Sequence, residues 1–420
     1  MTIGEVKGVD MDLKITLKRI IFILLLITLS ICLFAGEPYV LMVSFDGFRY
    51  DYDTKTETPN LDFVRDNGVK AESIQPVFPS KTFPNHYALA TGAYAATNMI
   101  TANKFYDNEF KEVYQIADKS KVRDAKWYRA EPIWVTAERQ NVKSASYFWV
   151  GSEAPIKGYL PSIVKAYDHN FPYLARVDSV MNWLQLSEEK RPHLVMLYFD
   201  EPDSDGHKYG PENPDLIPTL KYMDDILGYI LDGIKKLDIA DEINLVLVSD
   251  HGMTTISQDR IIYLDDIVSD MSALSNYGGG PVMQIHLKEK NDTLIDQIDK
   301  QLKNVEHLST YKRDEVPERY HFVNRNTGEF VLVADEGWLI LTKAEEYKSN
   351  GTHGYDPAVK NMHGIFYAMG PQIKSNYKIG TFENIHVYPL ICELLGIKPY
   401  ADAPDAPEGR LEVLEEILVK

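Results

Sequence analysis

Three short apolar segments of the chain show no alternation between apolar and polar residues. They are YVLMVSF at residues 39–45, HLVMLYF at residues 193–199 and NLVLVS at residues 244–249. Runs of this length that are rich in valine and leucine are typical of strands buried on both faces of a parallel sheet. The pattern therefore predicts a central, largely parallel sheet that is covered on both sides.

Helices are predicted between these strands. In TPNLDFVRDNG, Thr58 occupies the capping position, Pro59 lies in the first turn and Gly68 ends the helix. Strands that alternate with helices indicate an α/β fold with helices on both faces of the sheet. Because the chain shows no repeat or low-complexity tract, we expect residues 37–420 to form a single domain that can carry insertions.

Acidic residues follow each of the three predicted strands. Asp46 follows the first strand, Asp200 and Asp203 follow the second, and Asp250 with His251 follows the third. Ligands bind open parallel sheets at the carboxyl ends of the strands. One acid could simply end a strand in a solvated turn, but the same arrangement on three strands predicts a shared site at one edge of the sheet.

Histidines accompany these acids in a pattern that suits a metal site. Asp203 precedes His207 by four residues, Asp250 adjoins His251, and GTHGYD places His353 in a turn beside glycine. Carboxylate oxygen and imidazole nitrogen are together suitable ligands for zinc. A histidine in such a turn can also be merely solvated, so His353 by itself would indicate little.

The segment that carries Asp203 and His207 could be a helix or a loop. A helix would place both side chains on one side, because they are four residues apart. Gly206 and Pro202 instead favour a tight loop, which could bring the same two ligands together. We therefore expect a loop here.

Thr82 precedes a predicted helix in the segment PSKTFPNHYALATG. Taken alone, it would be interpreted as a helix cap. A threonine hydroxyl becomes a nucleophile when a metal ion or a base lowers its pKa, and a helix N-terminus attracts anions. Two neighbouring metal ions can stabilise both the attacking and the leaving oxygen of a displacement at phosphorus. With metal ligands elsewhere in the chain, Thr82 is a candidate nucleophile.

Overall charge limits the class of ligand. The chain has 62 acidic and 44 basic residues and a formal net charge of -18. This charge argues against the binding of a nucleic-acid polymer through its backbone, which requires a positive surface. An anionic substrate would need local positive charge from metal ions or a few lysines.

The first 36 residues have the composition of a targeting segment. Lys14, Lys18 and Arg19 precede an apolar run at residues 20–35. The pattern is typical of a secretory signal peptide, and the run is shorter than the roughly 20 residues that a membrane-spanning helix needs. The sequence predicts export to the periplasm, the cell surface or the medium, with an uncleaved N-terminal anchor as the alternative to cleavage.

Several segments, taken together and in order, resemble the nucleotide pyrophosphatase/phosphodiesterase family of the alkaline phosphatase superfamily. The resemblance runs from about residue 38 to residue 395 and rests on SFDGFRYDY, PSKTFPNHYALATG, NKFYDNEF, PIWVTAERQ, FWVGSEAPI, LYFDEPDSDGHKYGP, VSDHGM, GTHGYD and MHGIFYAMGP. SDHGM is shared across the superfamily, whereas KTFPNH with EPDSDGH is specific to the family. The resemblance implies an alkaline phosphatase-like α/β fold with its metal site at the C-terminal ends of the strands.

The resemblance also implies two zinc ions and a covalent mechanism. The residues that would bind the ions are Asp203, His207 and His353 for one, and Asp46, Thr82, Asp250 and His251 for the other. Thr82 would be the nucleophile and would form a nucleotidyl-threonine intermediate. Asn103 would bind a non-bridging phosphate oxygen, a role like that of an oxyanion hole. The family pattern selects His353 over His363 as a ligand, and it leaves His86 and the other histidines as packing or surface residues.

Three further residues would contact the substrate. Phe83 and Tyr167 match the positions whose rings enclose the base in nucleotide-cleaving members of the family, and an aromatic pair can stack on any base. Lys104, and with it Lys81, could provide positive charge for distal phosphates. The alternative is that the rings belong to the core and that the lysines are ordinary surface residues.

The expected function is that of an exported two-zinc phosphodiesterase that releases nucleoside 5′-monophosphates from nucleoside triphosphates, dinucleotides or nucleotide sugars. One alternative is a lysophospholipid or choline phosphodiesterase of the same fold. Another is an inactive, metal-stabilised binding protein, although every expected ligand and the nucleophile are present. The sequence leaves the oligomeric state open.

Overall fold

The computed structural model describes residues 38–289 and 291–419. Tyr39–Lys420 is one compact unit. The predicted signal peptide at residues 1–36 lies outside the described residues. None of the helices within the described ranges combines the length and the hydrophobicity that crossing a bilayer requires.

An eight-stranded sheet forms the centre of the described fold. In spatial order its strands are Tyr377–Ile379, Val69–Ala71, Phe366–Met369, Ile243–Val248, Tyr39–Phe45, Leu194–Phe199, Ser144–Tyr147 and Ile163–Lys165. The last five run parallel to one another, whereas Phe366–Met369 is antiparallel to both of its neighbours. The prediction of a largely parallel sheet is confirmed, and each of the three predicted strands matches its observed bounds to within one residue.

Alternate residues of the central strands belong to two different hydrophobic cores. Val40 and Met42 pack in one core, and Leu41 and Val43 pack in the other. The first core is completed by the helices Thr82–Thr91, Ile133–Arg139 and Val387–Leu394, and the second by Pro59–Asn67, Tyr173–Leu184 and Ile217–Ile234. Because both faces of the sheet are covered, these strands have no polar face, which explains their continuous apolar sequence.

A second, antiparallel sheet lies in the sequence between two strands of the central sheet. Its strands, in spatial order, are Leu274–Gly279, Val282–Leu287, Phe330–Ala334 and Leu308–Lys312. The helix Asp292–Leu302 packs Ile298 and Leu302 into a separate core with this sheet. The segment is an insertion with its own core rather than an extension of the central sheet.

Shorter elements complete the described fold. The remaining α-helices are Ala95–Asn98, Lys119–Val122, Asp203–Tyr209 and Leu264–Ile267. The two-stranded pairs are Thr254–Thr255 with Gly351–Thr352, Ile261–Tyr263 with Leu339–Leu341, Ile74–Gln75 with Phe382–Glu383, and Lys104–Asp107 with Glu112–Gln115. Several of these elements connect the carboxyl edge of the central sheet to the insertion.

The helix predicted after Thr58 forms as Pro59–Asn67, with Gly68 directly after it. Thr58 does occupy the capping position, but its hydroxyl does not cap the helix. It donates instead to the carbonyl oxygen of Asp53 at 3.3 Å. The predicted position of the helix is therefore confirmed, but the Thr58 hydroxyl bonds to the preceding turn rather than to the helix.

The loop predicted between Asp203 and His207 is wrong, because Asp203–Tyr209 is a helix. The backbone NH of Gly206 donates to the carbonyl oxygen of Pro202 at 2.8 Å, as in a helical turn. A Cβ atom on Gly206 would lie 3.0 Å from Cε of Met253. Close packing against Met253, rather than a need for loop flexibility, accounts for this glycine.

Leu247→Ala is expected to lower the free energy of unfolding by about 2–5 kcal/mol, because it would leave a cavity in a core that the structure fills. Leu247 is fully buried in the centre of the sheet. Denaturant-induced unfolding measures the change. The control is Leu174→Ala, where the side chain is 47% exposed, and we expect a change within about 0.5 kcal/mol there. Equal effects of the two substitutions would contradict the assignment of the core.

Candidate active site

The parallel register brings the acidic residues together at one edge of the sheet. Phe45 pairs with Phe199, and the backbone NH of Asp46 donates to the carbonyl oxygen of Phe199 at 2.9 Å. The backbone NH of Asp203 then donates to the carbonyl oxygen of Asp46 at 3.0 Å. The two acids that follow neighbouring strands are thereby fixed against each other by the backbone.

Gly47 permits this close approach. Its φ of +66° lies in the left-handed region, and an added Cβ atom would come within 2.9 Å of Cβ and Oδ1 of Asp203. A larger side chain would therefore be strained by its backbone conformation and would also collide with Asp203. The glycine in SFDGFRYDY is required by the geometry of the site.

The structure brings six of the predicted metal ligands into one cluster. The potential ligand atoms of Asp46, Asp250 and His251 all lie within 4.8 Å of one another, and the same holds for Asp203, His251 and His353. His207 adjoins the second group, because its Nε2 is 3.5 Å from Oδ2 of Asp203 and its ring centroid is 5.1 Å from that of His353. His251 therefore lies between the two predicted sites, whereas the sequence had assigned it to one of them.

Three histidines of the cluster have a fixed orientation. Nδ1 of His251 lies 2.9 Å from the carbonyl oxygen of Gly252, Nδ1 of His353 lies 2.8 Å from that of Ser80, and Nδ1 of His207 lies 2.8 Å from that of Gly351. A carbonyl oxygen only accepts, so Nδ1 carries the proton and donates in each case. In the neutral ring this leaves the lone pair of Nε2 available, which is the usual arrangement of a metal-binding histidine.

Three buried carboxylate oxygens in the cluster have no hydrogen-bond donor among the described residues. They are Oδ1 of Asp46, Oδ1 of Asp203 and Oδ2 of Asp250. The other oxygen is bonded in two of the three: Tyr198 donates its hydroxyl to Asp46 at 2.6 Å, and the backbone NH of Gly47 donates to Asp250 at 3.1 Å. Buried carboxylate oxygens without a donor are costly unless a cation neutralises them. These oxygens and the imidazole nitrogens fit a divalent metal such as zinc.

The pKa shifts in the cluster also indicate a site that favours a cation. Burial, together with the charges of Asp250 and Asp203, raises the pKa of Asp46 well above its usual range. Burial also opposes ionisation of Asp250, but without a bound metal the protonated forms of His251 and His86 outweigh it and hold the pKa of Asp250 well below its usual range. Excess negative charge at Asp46 is thus unfavourable without an added cation.

His353 is held in the neutral form that binds metals. Burial, and then the charges of His251 and His207, hold the pKa of His353 well below that of an ordinary histidine. A metal ligand must be deprotonated at the coordinating nitrogen. The site therefore needs no proton release from His353 when a cation binds.

Thr82 is the first residue of the helix Thr82–Thr91, and Lys81 occupies the capping position. The interpretation of Thr82 as a cap is thus wrong. Its Oγ1 lies 3.3 Å from Nε2 of His251, so the hydroxyl reaches the ligand cluster. The positive end of the helix dipole is at the same place.

His86 contacts both the backbone of Thr82 and the carboxylate of Asp250. Its Nδ1 lies 3.0 Å from the carbonyl oxygen of Thr82 and 3.2 Å from Oδ2 of Asp250. Its Nε2 lies 2.8 Å from the hydroxyl oxygen of Ser44. The imidazole is fully buried, as expected of a packing residue. His363 lies elsewhere, with its ring nitrogens 2.9 Å from Ser73 Oγ and 2.9 Å from the carbonyl oxygen of Pro357.

A cavity of about 570 Å³ opens beside the cluster. Thr82, Phe83, Asn103 and Tyr167 all line it, together with apolar side chains such as Val150. Oδ1 of Asn103 accepts a hydrogen bond from the backbone NH of Phe83 at 3.0 Å. The amide nitrogen of Asn103 is therefore the end that can donate to a ligand in the cavity.

The basic residues around the cavity differ from those chosen by sequence. Lys104 is exposed and is not among the residues that line the cavity, whereas Lys119 and Arg123 are. Lys81 donates to the carbonyl oxygen of Gly279 at 3.3 Å, and burial lowers its pKa to about 8. Lys119 and Arg123 lie on a short polar segment with no periodicity, so nothing in the sequence indicated them.

Residues 40–356 match the model of the type I phosphodiesterase/nucleotide pyrophosphatase family. The chain belongs to this family. It is 38% identical over 375 residues to a venom phosphodiesterase of Naja atra, covering 87% of this chain and 45% of that protein. It is 36% identical over 393 residues to the bis(5′-adenosyl)-triphosphatase enpp4 of Xenopus laevis, covering 90% of this chain and 83% of that protein.

Solved structures of the family have the same fold. Murine ectonucleotide pyrophosphatase/phosphodiesterase 5, solved as an inactive variant in complex with AMP, is 33% identical with a TM-score of 0.86, and the match covers 91% of this chain and 100% of that one. The expected alkaline phosphatase-like fold is confirmed. The chain spans less than half the length of some curated relatives, 45% of the Naja atra enzyme and 41% of family member 1 of Rattus norvegicus.

Zinc added to the metal-free protein is expected to raise its melting temperature, because it binds the folded state alone. At a thousandfold excess of free metal over Kd the gain is about 4 kcal/mol. Asp46→Asn should reduce this shift, because it removes an unpaired carboxylate oxygen, while the metal-free variant should be at least as stable as the metal-free parent. Differential scanning calorimetry with and without chelator measures both quantities.

The control for this experiment is Asp402→Asn, which neutralises an exposed acid outside the cluster. It should leave the zinc-induced shift unchanged. If zinc raises the melting temperature of Asp46→Asn as much as that of the parent, Asp46 does not contribute to a metal site.

Proposed function

We propose that this chain is a metal-dependent phosphodiesterase that cleaves nucleoside triphosphates, dinucleotides or nucleotide sugars to nucleoside 5′-monophosphates. The observation that carries the proposal is the position of Thr82. Its hydroxyl lies at a helix N-terminus, 3.3 Å from Nε2 of His251, within the ligand cluster and on the wall of the cavity. A hydroxyl in this setting is suited to attack phosphorus.

Two zinc ions fit the cluster. Asp203, His207 and His353 would bind one, and Asp46, Asp250, His251 and the Thr82 oxygen the other, with His251 between the two. Bound zinc would supply positive charge that lowers the pKa of a hydroxyl or a water and neutralises the substrate phosphate. The unpaired carboxylate oxygens and the three oriented histidines support this assignment.

Thr82 acts as the nucleophile. A bond forms between its oxygen and phosphorus while the bond from phosphorus to the leaving group breaks, which gives a nucleotidyl-threonine intermediate. Water then hydrolyses this ester and restores the hydroxyl. His86 keeps the carbonyl of Thr82 and the carboxylate of Asp250 together through these steps. The amide nitrogen of Asn103 donates to a non-bridging oxygen as negative charge develops there.

Phe83 and Tyr167 enclose the base of the bound nucleotide. Both rings line the cavity, and Tyr167 is 36% exposed, so its ring is available to a ligand. The AMP complex of the murine relative and the name of the Xenopus laevis relative support a nucleotide substrate. Lys104, which lies outside the cavity lining, remains a proposed contact for phosphates that extend beyond it.

We also propose that the protein is exported. The composition of residues 1–36 supports export, and the relatives include venom enzymes and ectonucleotide phosphodiesterases.

The first test is a product assay of the zinc-loaded protein with ATP, a dinucleoside polyphosphate and lysophosphatidylcholine. We expect AMP and pyrophosphate from ATP. Thr82→Ala should lower kcat by about 10³-fold or more, because it removes the nucleophile, while its zinc content stays close to that of the parent. Thr56→Ala, outside the cavity lining, serves as the control.

Two results would overturn the proposal. Release of choline or phosphocholine from the lipid without cleavage of ATP would identify a lipid phosphodiesterase. Full activity of Thr82→Ala would exclude threonine as the nucleophile.

Phe83→Ala and Tyr167→Ala are each expected to lower kcat/KM for nucleotides by about 10-fold, because loss of one stacking ring costs about 1–3 kcal/mol. The loss should be similar for purine and pyrimidine substrates and smaller for the nitrophenyl ester of methylphosphonate, which has no base. Steady-state kinetics with both kinds of substrate provide the measurement. If kcat/KM for the base-free substrate falls by the same factor, the two rings maintain the structure of the site and do not stack on the base.

A further inference from the structure

His169 lies on the wall of the cavity and has no role in the mechanism described above. Its Nδ1 is 2.9 Å from Oδ2 of Asp200, and its side chain is 61% exposed. The other oxygen of Asp200 accepts a hydrogen bond from Arg176 at 3.1 Å, and both of these partners are buried. A buried ion pair therefore orients an accessible imidazole at the cavity.

Arg176 is itself held firmly. Its guanidinium donates to the carbonyl oxygens of Phe171 at 3.0 Å, Tyr198 at 3.1 Å and His169 at 3.3 Å. These bonds connect the segment around His169 to the end of the strand Leu194–Phe199. The position of the His169 backbone is thus fixed by the same arginine that pairs with Asp200.

The hydrogen bond to Asp200 determines which atom of His169 can bind a ligand. A carboxylate only accepts, so Nδ1 carries the proton and donates to Asp200. The Tyr167 hydroxyl lies on the same side, 3.4 Å from Nδ1. Nε2 has no hydrogen-bond partner within residues 38–289 and 291–419, and in the neutral ring it is an acceptor. The imidazole therefore offers one oriented acceptor.

His169 and Asp200 line the same cavity as the ring of Tyr167 and the cluster residues Thr82 and Asp203. His169 is two residues from Tyr167, and Asp200 is three residues before the ligand Asp203. The ring of Tyr198 continues the same wall, because its centroid is 6.3 Å from that of Tyr167 and its hydroxyl donates to Asp46 at 2.6 Å. The cavity therefore holds the ring of Tyr167, the imidazole of His169 next to it and the cluster within one continuous space.

We propose that His169, oriented by Asp200, binds a ribose hydroxyl of the substrate and favours ribonucleotides over deoxyribonucleotides. The assignment rests on the proposed function. With the base at Tyr167 and the phosphate at Thr82, the sugar of a nucleoside 5′-phosphate occupies the space between them. Its hydroxyl groups are hydrogen-bond donors, which matches the acceptor at Nε2. Asp200 is a positioning residue, because it acts through His169.

The test compares kcat/KM of the full-length, zinc-loaded protein for ATP, 2′-deoxy-ATP and 3′-deoxy-ATP. We expect ATP to exceed at least one deoxy analogue by about 10-fold, the effect of one lost hydrogen bond. His169→Phe keeps a planar ring but removes both nitrogens, and it should bring this ratio close to one. His169→Gln retains a polar end and should preserve part of the ratio.

Asn170→Ala is the matched control, since Asn170 is the next residue, is exposed and does not line this cavity. It should leave the ratio as in the parent. Competitive inhibition by AMP and by its 2′- and 3′-deoxy forms measures the same preference apart from turnover, and we expect the same order there.

Two outcomes would overturn the assignment. In the first, kcat/KM of the parent protein for ATP differs by less than about twofold from that for each deoxy analogue. This difference is smaller than the loss of a single hydrogen bond would cause. In the second, His169→Phe leaves the ratio unchanged. In both outcomes the protein still cleaves nucleotides. Failure of the proposed function is distinguishable, because no nucleoside monophosphate would then be released from any of the three substrates. In that case the assignment of His169 fails as well.

Discussion

The crowding of three carboxylates at one edge of the sheet is the constraint on which the site depends. Asp46, Asp203 and Asp250 are brought together because parallel strands end at the same edge of the sheet, and each has an oxygen without a donor among the described residues. Asp46 and Asp250 are buried and Asp203 is partly buried, so water screens their charges poorly and a bound cation would stabilise the cluster. Nε2 of His251 lies 3.4 Å from Asp46 and 3.0 Å from Asp250, where a bound metal ion could satisfy all three groups.

Thr82, the proposed nucleophile, and the cavity are positioned by the same packed fold as the cluster residues. The helix Thr82–Thr91 packs in one core of the sheet. This packing fixes the position of its first residue, Thr82, beside the cluster. Phe83, the next residue, faces the cavity and bonds Asn103 through its backbone NH. One helix start thus places the proposed nucleophile and the proposed base-stacking ring side by side and orients the amide of Asn103. The packed sheet thus positions Thr82 and Phe83, whereas Asn103, Tyr167 and His353 are contributed by connecting segments.

The strands and the residues of the cluster could be predicted from the sequence. Features that arise only from tertiary packing could not. Buried parallel strands have an unambiguous apolar pattern, and the acids and histidines near their ends, together with the family resemblance, indicated the six residues that the structure gathers into the cluster. Gly206 was misinterpreted as a loop signal, because its contact with Met253 cannot be seen along the chain. His169 was placed among packing or surface residues, since Asp200, which orients it, lies 31 residues further along the chain. Lys104 was chosen for its charge near Asn103, yet its side chain is exposed and does not line the cavity.

The most direct test of the metal cluster is a crystal structure of the zinc-loaded protein with anomalous data collected at the zinc absorption edge. The account predicts two anomalous peaks within the cluster, each about 2.0–2.2 Å from its protein nitrogen and oxygen ligands. The unpaired oxygens of Asp46, Asp203 and Asp250 should be among those ligands. Peaks at other positions, or no peak between these carboxylates, would contradict the claim that a metal ion balances their charge.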